Sequence, residues 1–571
     1  MYPSTITSPT RVSDAIVSVL AEAEIEFVFG MPGGDTGRLF RALHEHPSIK
    51  IIQVREESIG STMAEAYGRM TGRPAVVMGQ GEWIAGNAGQ GILEAMLGSS
   101  PMVILTEMSD GGALSHHGHY QAGSGDYGAW DVRTALSGIT KRVMVSHSPA
   151  QAVQHTQLGI KHALTGNPGP VAVVFRSDSL RGTIGPSSVP RIYPTGAYLP
   201  RRSKAFDGDA VDSAATSLMA AERPVIIAGN GIRVAQACSN LDSLARAFDI
   251  PVATTASGKG VFPETDQLAA GVIGTFGISI ANTMLAEADV VLVVGSRLGT
   301  MDTIDEHPGL LNPPTQTIIQ IDVEPLNVGW TYPVDLQLIG DAGHIMDRLS
   351  VACELKASPS NRSKEGVARV SAVASKGEKR PEPISDEMPL APQRIIQEIQ
   401  ACLPPDSVVT CDAGENRLFM MHWYRAKSAN SYLQPASGGG MGYAVPAAMG
   451  ARLANPKRPV LAVCGDGGFA MSIHGLMTAV SAAIPITVLV FNNNALGWVL
   501  HGMGDATEVA RLGEFDHAGI ARSLGCEGIR VNNVDDLHNA LMGVGQRISP
   551  CVIDVPTSLS PTFKDITQSM V

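Results

Sequence analysis

A glycine-rich turn, Cys464-Gly465-Asp466-Gly467-Gly468, follows the apolar run Val460 to Val463 and precedes a helical stretch from Ser472 to Ala482. Residues without a β-carbon let backbone N–H groups approach an anion closely. A helix N-terminus adds free donors and the positive end of its dipole. Asn493 stands 27 positions after Asp466, in Asn492-Asn493-Asn494 at the end of the strand-like run Thr487 to Phe491. That spacing brings amide oxygens beside the Asp466 carboxylate at one sheet edge. Two hard oxygen ligands facing one phosphate pocket suit Mg²⁺ bridging to a diphosphate.

The elements that must carry these residues recur along the chain. Val12, Ala15, Ile16, Val19 and Leu20 fall at helical spacing, and Phe27-Val28-Phe29 is a buried-strand pattern closed by Gly30. The rhythm continues through Ile51 to Val54, a small-residue helix around Met63 to Met70, and Ala75 to Met78. It predicts a parallel sheet covered by helices over residues 1–185. A second set, residues 192–354, holds Val225 to Ala228, Val290 to Val294 and Ile318 to Ile321. Residues 355–383 turn to Ser, Lys, Glu, Arg and Pro with little apolar periodicity and predict a linker. Strand and helix alternation resumes over 384–571. The expected fold is therefore α/β, with three doubly wound parallel-sheet domains.

Composition bounds the function. The chain has 571 residues, 44% hydrophobic and 17% charged, enough apolar surface for several cores. Its 42 Lys and Arg against 54 Asp and Glu leave a net charge of -12, which opposes an extended grip on nucleic acid or an anionic membrane. The apolar runs fall well short of the 18 or so residues that span a bilayer. Met1 to Arg11 has neither a basic nor an apolar signal region, so a cytoplasmic location is the expectation. Seven cysteines without a CxxC pair argue against a disulfide framework or a cysteine metal site.

With GDG, an interval of this length and then NN, the sequence resembles the thiamine-diphosphate (ThDP) enzymes, in their acetolactate synthase-like branch. The resemblance implies that Asp466, the Asn493 side chain and the Ala495 carbonyl hold Mg²⁺. It further implies that Gly439 meets the exocyclic amine of the aminopyrimidine and that Met441 props the cofactor into its V shape, from the run Gly438-Gly439-Gly440-Met441-Gly442. On the same match Gly33, Gly465, Gly467, Gly468, Leu496 and Gly497 join the cofactor-binding set. The matched runs Phe29 to Gly34, Ala221 to Val225 and Gly258 to Pro263 extend the likeness over nearly the whole chain. It implies a pyrimidine-binding, a central and a diphosphate-binding domain, in a homodimer or homotetramer with shared active sites.

An acid must promote tautomerisation of the pyrimidine, and Glu57 in Val54-Arg55-Glu56-Glu57-Ser58 matches the family's strand-glutamate-helix pattern, with Glu56 the competing register. A desolvated carboxyl there would have a raised pKa. Ser115-His116-His117-Gly118-His119-Tyr120-Gln121 supplies further catalytic candidates: His116, His117 and Gln121, with imidazoles that titrate near the working pH.

The chain departs from acetolactate synthases in places. Gln80 to Asn87 replaces a GPGATN-like loop, so Glu82 and Trp83 border the pocket. Met301 falls where an arginine greets the acceptor carboxylate, and Gly502 where a synthase has a tryptophan. These departures argue against ordinary acetolactate synthesis and leave FAD open, since some relatives carry it and others do not. The expected activity is a carboligase or lyase acting on a 2-oxo acid or hydroxyketone donor and a carbonyl acceptor. Simple decarboxylation, acetyl transfer to phosphate and a catalytically quiet subunit are the alternatives. A NAD enzyme is the weakest reading, because this chain lacks a GxGxxG after the first strand with an acidic residue downstream.

Overall fold

A computed structural model describes residues 4–109, 120–126, 128–199, 204–377, 384–504 and 507–567. It contains three six-stranded parallel sheets with helices between their strands. The first sheet runs Lys50–Gln53, Phe27–Gly30, Ala75–Met78, Met102–Glu107, Pro170–Phe175, Arg142–Ser146 in space. The third runs Tyr432–Leu433, Val408–Cys411, Val460–Gly465, Thr487–Asn492, Cys551–Pro556, Glu527–Arg530. Counted by sequence within each domain, both have the order 2-1-3-4-6-5, so the outer domains share one topology. The central sheet, Ala269–Val272, Val252–Thr254, Val225–Ala228, Val290–Val294, Thr317–Asp322, Leu336–Ile339, has the order 3-2-1-4-5-6. These strands are nearly continuous Val, Ile and Leu runs because helices bury both faces of each sheet.

The outer domains pack directly on one another. The helix Glu57–Thr71 lies against the helix Ala444–Ala454, where Gly450 leaves no β-carbon to strike the Met63 carbonyl. Within this contact Arg69 and Glu65 are fully buried, 2.6 Å apart. The Tyr443 hydroxyl donates to Glu65 (2.8 Å), and Arg69 donates to the Gln434 carbonyl (2.8 Å). A charge pair taken out of water persists only when its remaining donors and acceptors are satisfied in this way. The central domain is tied to the third by Lys259, which donates to Glu264 (2.6 Å) and to the Tyr424 carbonyl (2.7 Å).

Two sequence expectations need correction. The segment expected as a linker carries the helix Gly366–Gly377, whose Val370 is buried in the central core, and the buried Lys364 ammonium caps the Met219 and Ala221 carbonyls. Its few apolar residues are spent on one narrow stripe, which composition averages away. The helix expected from Ser472 begins instead at Asp466, ends at Ser472, and is followed by a separate helix Gly475–Ser481. Gly465, in extended conformation, is the N-cap, so the glycines of the turn lie inside the first helical turn.

Candidate active site

In a sheet of this order the connections leave adjacent strands in opposite directions where the first and third meet, opening a crevice at their carboxyl ends. In the third domain those strands are Val408–Cys411 and Val460–Gly465, and the crevice is lined by Gly414, Glu415, Gly465, Gly467, Asn493 and Ala495 among others. Asp466, which opens the helix after Gly465, is buried and stands in sequence between the lining residues Gly465 and Gly467. Its Oδ1 accepts from the Asn493 N–H at 3.5 Å, while Oδ2 has no hydrogen-bond partner among the described residues. Burial pushes the Asp466 carboxyl up to about 6. Asn493 Oδ1 accepts from the Ala495 N–H at 3.1 Å, and Asn494 takes a left-handed φ of 54° that turns the chain. Leu496 and Gly497 line the same cleft, and Gly468 sits so near Asp412 that an added β-carbon would lie 2.6 Å from its Oδ2.

The loop Gly438–Gly442 borders this crevice. Gly439 has φ +67°, a conformation that favours glycine. Met441 reaches over Gly467, where an added β-carbon would stand 2.7 Å from its Cε. Gln90 of the first domain donates to the Met441 carbonyl (2.8 Å), and Asp412 accepts from the Gly442 N–H (3.1 Å). Burial pushes the Asp412 carboxyl up to about 7.

Glu57 opens its helix as a buried residue, 4% exposed, and accepts from the Asn87 amide at 2.9 Å. Glu56 is the N-cap, accepting from the Ser58 N–H at 2.9 Å with His474 3.5 Å away. The two carboxyls are therefore placed differently: one caps its own helix and the other meets Asn87, the C-cap of the helix Gly81–Gly86. At the carboxyl edge of the first sheet, Gln80 donates to Gln121 Oε1 (2.9 Å) and stands against Gly33, 2.6 Å from where its β-carbon would be. His116 and His117, with His119, lie outside the described residues. Trp83 is 45% exposed, and burial raises the Glu82 carboxyl.

Three domain families match along the chain in order: thiamine pyrophosphate enzyme N-terminal TPP-binding domain over 10–126, central domain over 211–349, and C-terminal TPP-binding domain over 412–555. The chain belongs to the thiamine pyrophosphate enzymes. Among curated relatives, a probable acetolactate synthase large subunit of Methanocaldococcus jannaschii is 28% identical over 95% of this chain and 91% of its own length. The acetolactate synthase large subunit of Corynebacterium glutamicum is 28% identical over 97% and 89%. The Escherichia coli isozyme 3 large subunit is 26% identical over 93% and 91%. No described helix is long and apolar enough to cross a membrane.

Against this family background, the cleft holds residues that the sequence reading missed. Glu415 lines it, and its Oε1 is 2.8 Å from His501 Nδ1 on the helix Gly497–Gly502. Burial raises the Glu415 carboxyl, and the bond to His501 offsets part of that rise. Asp412, beside it in sequence, anchors the Met441 loop. The signal available was the acidic pair at the end of the strand Val408–Cys411, the counterpart of the GDG turn across the crevice. Trp498 packs edge-on to Phe276 of the central domain (5.6 Å) and stacks on Phe563 (5.4 Å), so it borders the cleft and joins domains at once. Met301 is exposed, next to a partly buried Asp302 whose carboxyl desolvation raises to about 6, and Gly502 opens onto free space.

Proposed function

We propose that this chain is a ThDP- and Mg²⁺-dependent carboligase or lyase that decarboxylates or cleaves a 2-oxo acid-type donor and delivers the acyl unit to a carbonyl acceptor. The observation that carries the reading is Asp466 Oδ2: a buried carboxylate oxygen without a hydrogen-bond partner among the described residues, at a helix start rich in glycine, beside Asn493 and Ala495. A buried, unmatched oxygen is costly unless a ligand completes it. Hard oxygen donors next to exposed N–H groups fit Mg²⁺ and a diphosphate. Asp466, the Asn493 amide and the Ala495 carbonyl would hold the metal, Gly465, Gly467, Gly468, Leu496 and Gly497 the diphosphate, and Gly439, Met441 and Gly33 the aminopyrimidine side. A cofactor held there would supply the nucleophilic carbon chemistry needed at the donor carbonyl.

The protein's own share is proton handling and positioning. Glu57, buried and held by Asn87, would hold the proton that a pyrimidine ring nitrogen requires. Gln121, oriented by Gln80, positions the donor, and His116 and His117 handle protons at the acceptor. A homodimer or homotetramer joins Glu57 of one chain to the diphosphate cleft of the next. Exposed Trp83, Leu93, Met96, Met471 and Met477 supply apolar area for such an interface.

A second reading, acetolactate synthesis proper, is favoured by the relatives that carry that name. Met301 and Gly502 favour an acceptor without the second 2-oxo acid carboxylate. Purified protein with ThDP and Mg²⁺ would be given pyruvate and other 2-oxo acids, with and without aldehyde or ketone acceptors, beside Glu57→Gln. Acceptor-dependent hydroxyketone with CO₂, lost in the variant, supports the carboligase. Acetolactate from pyruvate alone moves the assignment to the second reading, and aldehyde alone to a decarboxylase. Cofactor binding without turnover of any donor, hydroxyketones included, sinks the proposal.

A further inference from the structure

In the third domain, two helices, none of whose residues line the cleft around Gly465 and Asn493, bring three different metal-ligating groups together. Glu398 and Cys402 lie one turn apart on the helix Pro392–Cys402, and His538 faces them from the helix Val534–Met542. Glu398 Oε2 and His538 Nδ1 are 2.9 Å apart, Cys402 Sγ and His538 Nδ1 3.4 Å, and Cys402 Sγ and Glu398 Oε2 3.6 Å. With Zn–O and Zn–N bonds of about 2.0 Å and a Zn–S bond of about 2.3 Å, neighbouring ligand atoms of a tetrahedral site stand roughly 3.3 to 3.5 Å apart. The three atoms already form nearly one face of such a tetrahedron.

The surroundings suit the same role. Arg394 donates to the other Glu398 oxygen, Oε1, at 2.6 Å, which fixes the carboxylate plane and leaves Oε2 turned toward the sulfur and the imidazole. Glu398 and Cys402 are buried while the His538 side chain is 49% exposed, so an ion can enter from the imidazole side and keep a water in the fourth position. A thiolate, an imidazole and one carboxylate make a borderline-soft set. It selects Zn²⁺ over Mg²⁺, which demands oxygen ligands and octahedral geometry.

We propose that Glu398, Cys402 and His538 form a zinc site, separate from the cofactor's Mg²⁺ site and independent of the reading of the reaction. Binding exchanges the thiol proton for the metal: Zn²⁺ takes Cys402 as thiolate, neutral His538 through Nδ1 and Glu398 through Oε2, and one proton leaves to solvent. The test uses the full-length protein loaded with ThDP and saturating Mg²⁺, titrated with Co²⁺ as the spectroscopic probe. The expected result is one Co²⁺ per chain with a thiolate-to-metal charge-transfer band in the near ultraviolet, bleached by one equivalent of Zn²⁺. Cys402→Ser should lose the band, and His538→Gln, a half-exposed change that the fold tolerates, should weaken Co²⁺ binding at least tenfold. Cobalt at the diphosphate site, with oxygen ligands, gives no such band. Absence of the band in the parent protein, or its persistence in Cys402→Ser, overturns the proposal.

Discussion

Glu415 Oε1 and His501 Nδ1 meet at 2.8 Å although 86 residues separate them, and the same oxygen accepts from the Phe563 N–H at 2.7 Å. One carboxylate thus joins the start of its own helix, the helix after the Asn493 turn, and the C-terminal segment that stacks on Trp498. Truncation by Glu415→Ala leaves both donors without a partner in a buried site, a loss of about 1 to 3 kcal/mol. Thermal unfolding should show that loss, and hydrogen exchange should show faster exchange at the Phe563 amide. An unchanged Phe563 amide would disprove the bridging role.

Asp466→Asn keeps the size of the side chain and removes its charge. If this carboxylate ligates the metal, ThDP affinity in Mg²⁺ should fall on the order of a hundredfold, at least what loss of a supporting outer contact costs a metal site. Calorimetric titration reads it directly. Equal affinity in the variant would remove Asp466 from the ligand set.

The two neighbouring glutamates can be tested separately. Glu57→Gln should lower kcat by about 10² to 10⁴, the usual share of a positioned acid, while thermal stability stays near the parent value. Glu56→Ala should do the reverse, costing about 0.5 to 2 kcal/mol through loss of the N-cap with turnover largely kept. Interchanged outcomes would assign the acid to Glu56.

Glu107, fully buried at the end of the strand Met102–Glu107, accepts from the Asp35 N–H with both oxygens at 3.0 and 2.9 Å. Burial pushes its carboxyl from 4.5 up to about 7, with nearby Asp35 and Glu82 adding to the rise. Between these values the folded chain keeps a proton that the unfolded chain has released, so this group's contribution to stability falls as pH rises through that window. Melting temperatures from pH 5 to 8 should decline more steeply in the parent than in Glu107→Gln, which holds the neutral form at every pH. Parallel slopes would refute the assignment.

The local grammar of this chain was open to direct reading. Valine-rich runs between helical periods announce parallel sheets, and the glycine turn at Asp466 with the Asn493 run 27 positions on announces two strand ends that meet at one sheet edge, because both depend on residues close in sequence and on strand-end geometry common to such sheets. Glu57 could be read as an acidic residue at a strand-to-helix turn, and the structure adds that it is buried against Asn87 while Glu56 caps the helix. The helix in the 355–383 segment was not, since only Val370 and a few neighbours turn inward.

By itself, then, the sequence determined the α/β class, the domain order and the meeting of Asp466 with Asn493 at one sheet edge. Tertiary structure alone decided the common strand order of the first and third sheets, the anchoring of the Met441 loop by Asp412, the Glu415–His501 bridge, and the meeting of Cys402 with His538. The reason is physical. Periodicity and turn chemistry are set by neighbours along the chain. Contacts across 86 or 136 positions exist only once sheet order brings two strand ends or two helices side by side and burial forces their polar groups to find each other.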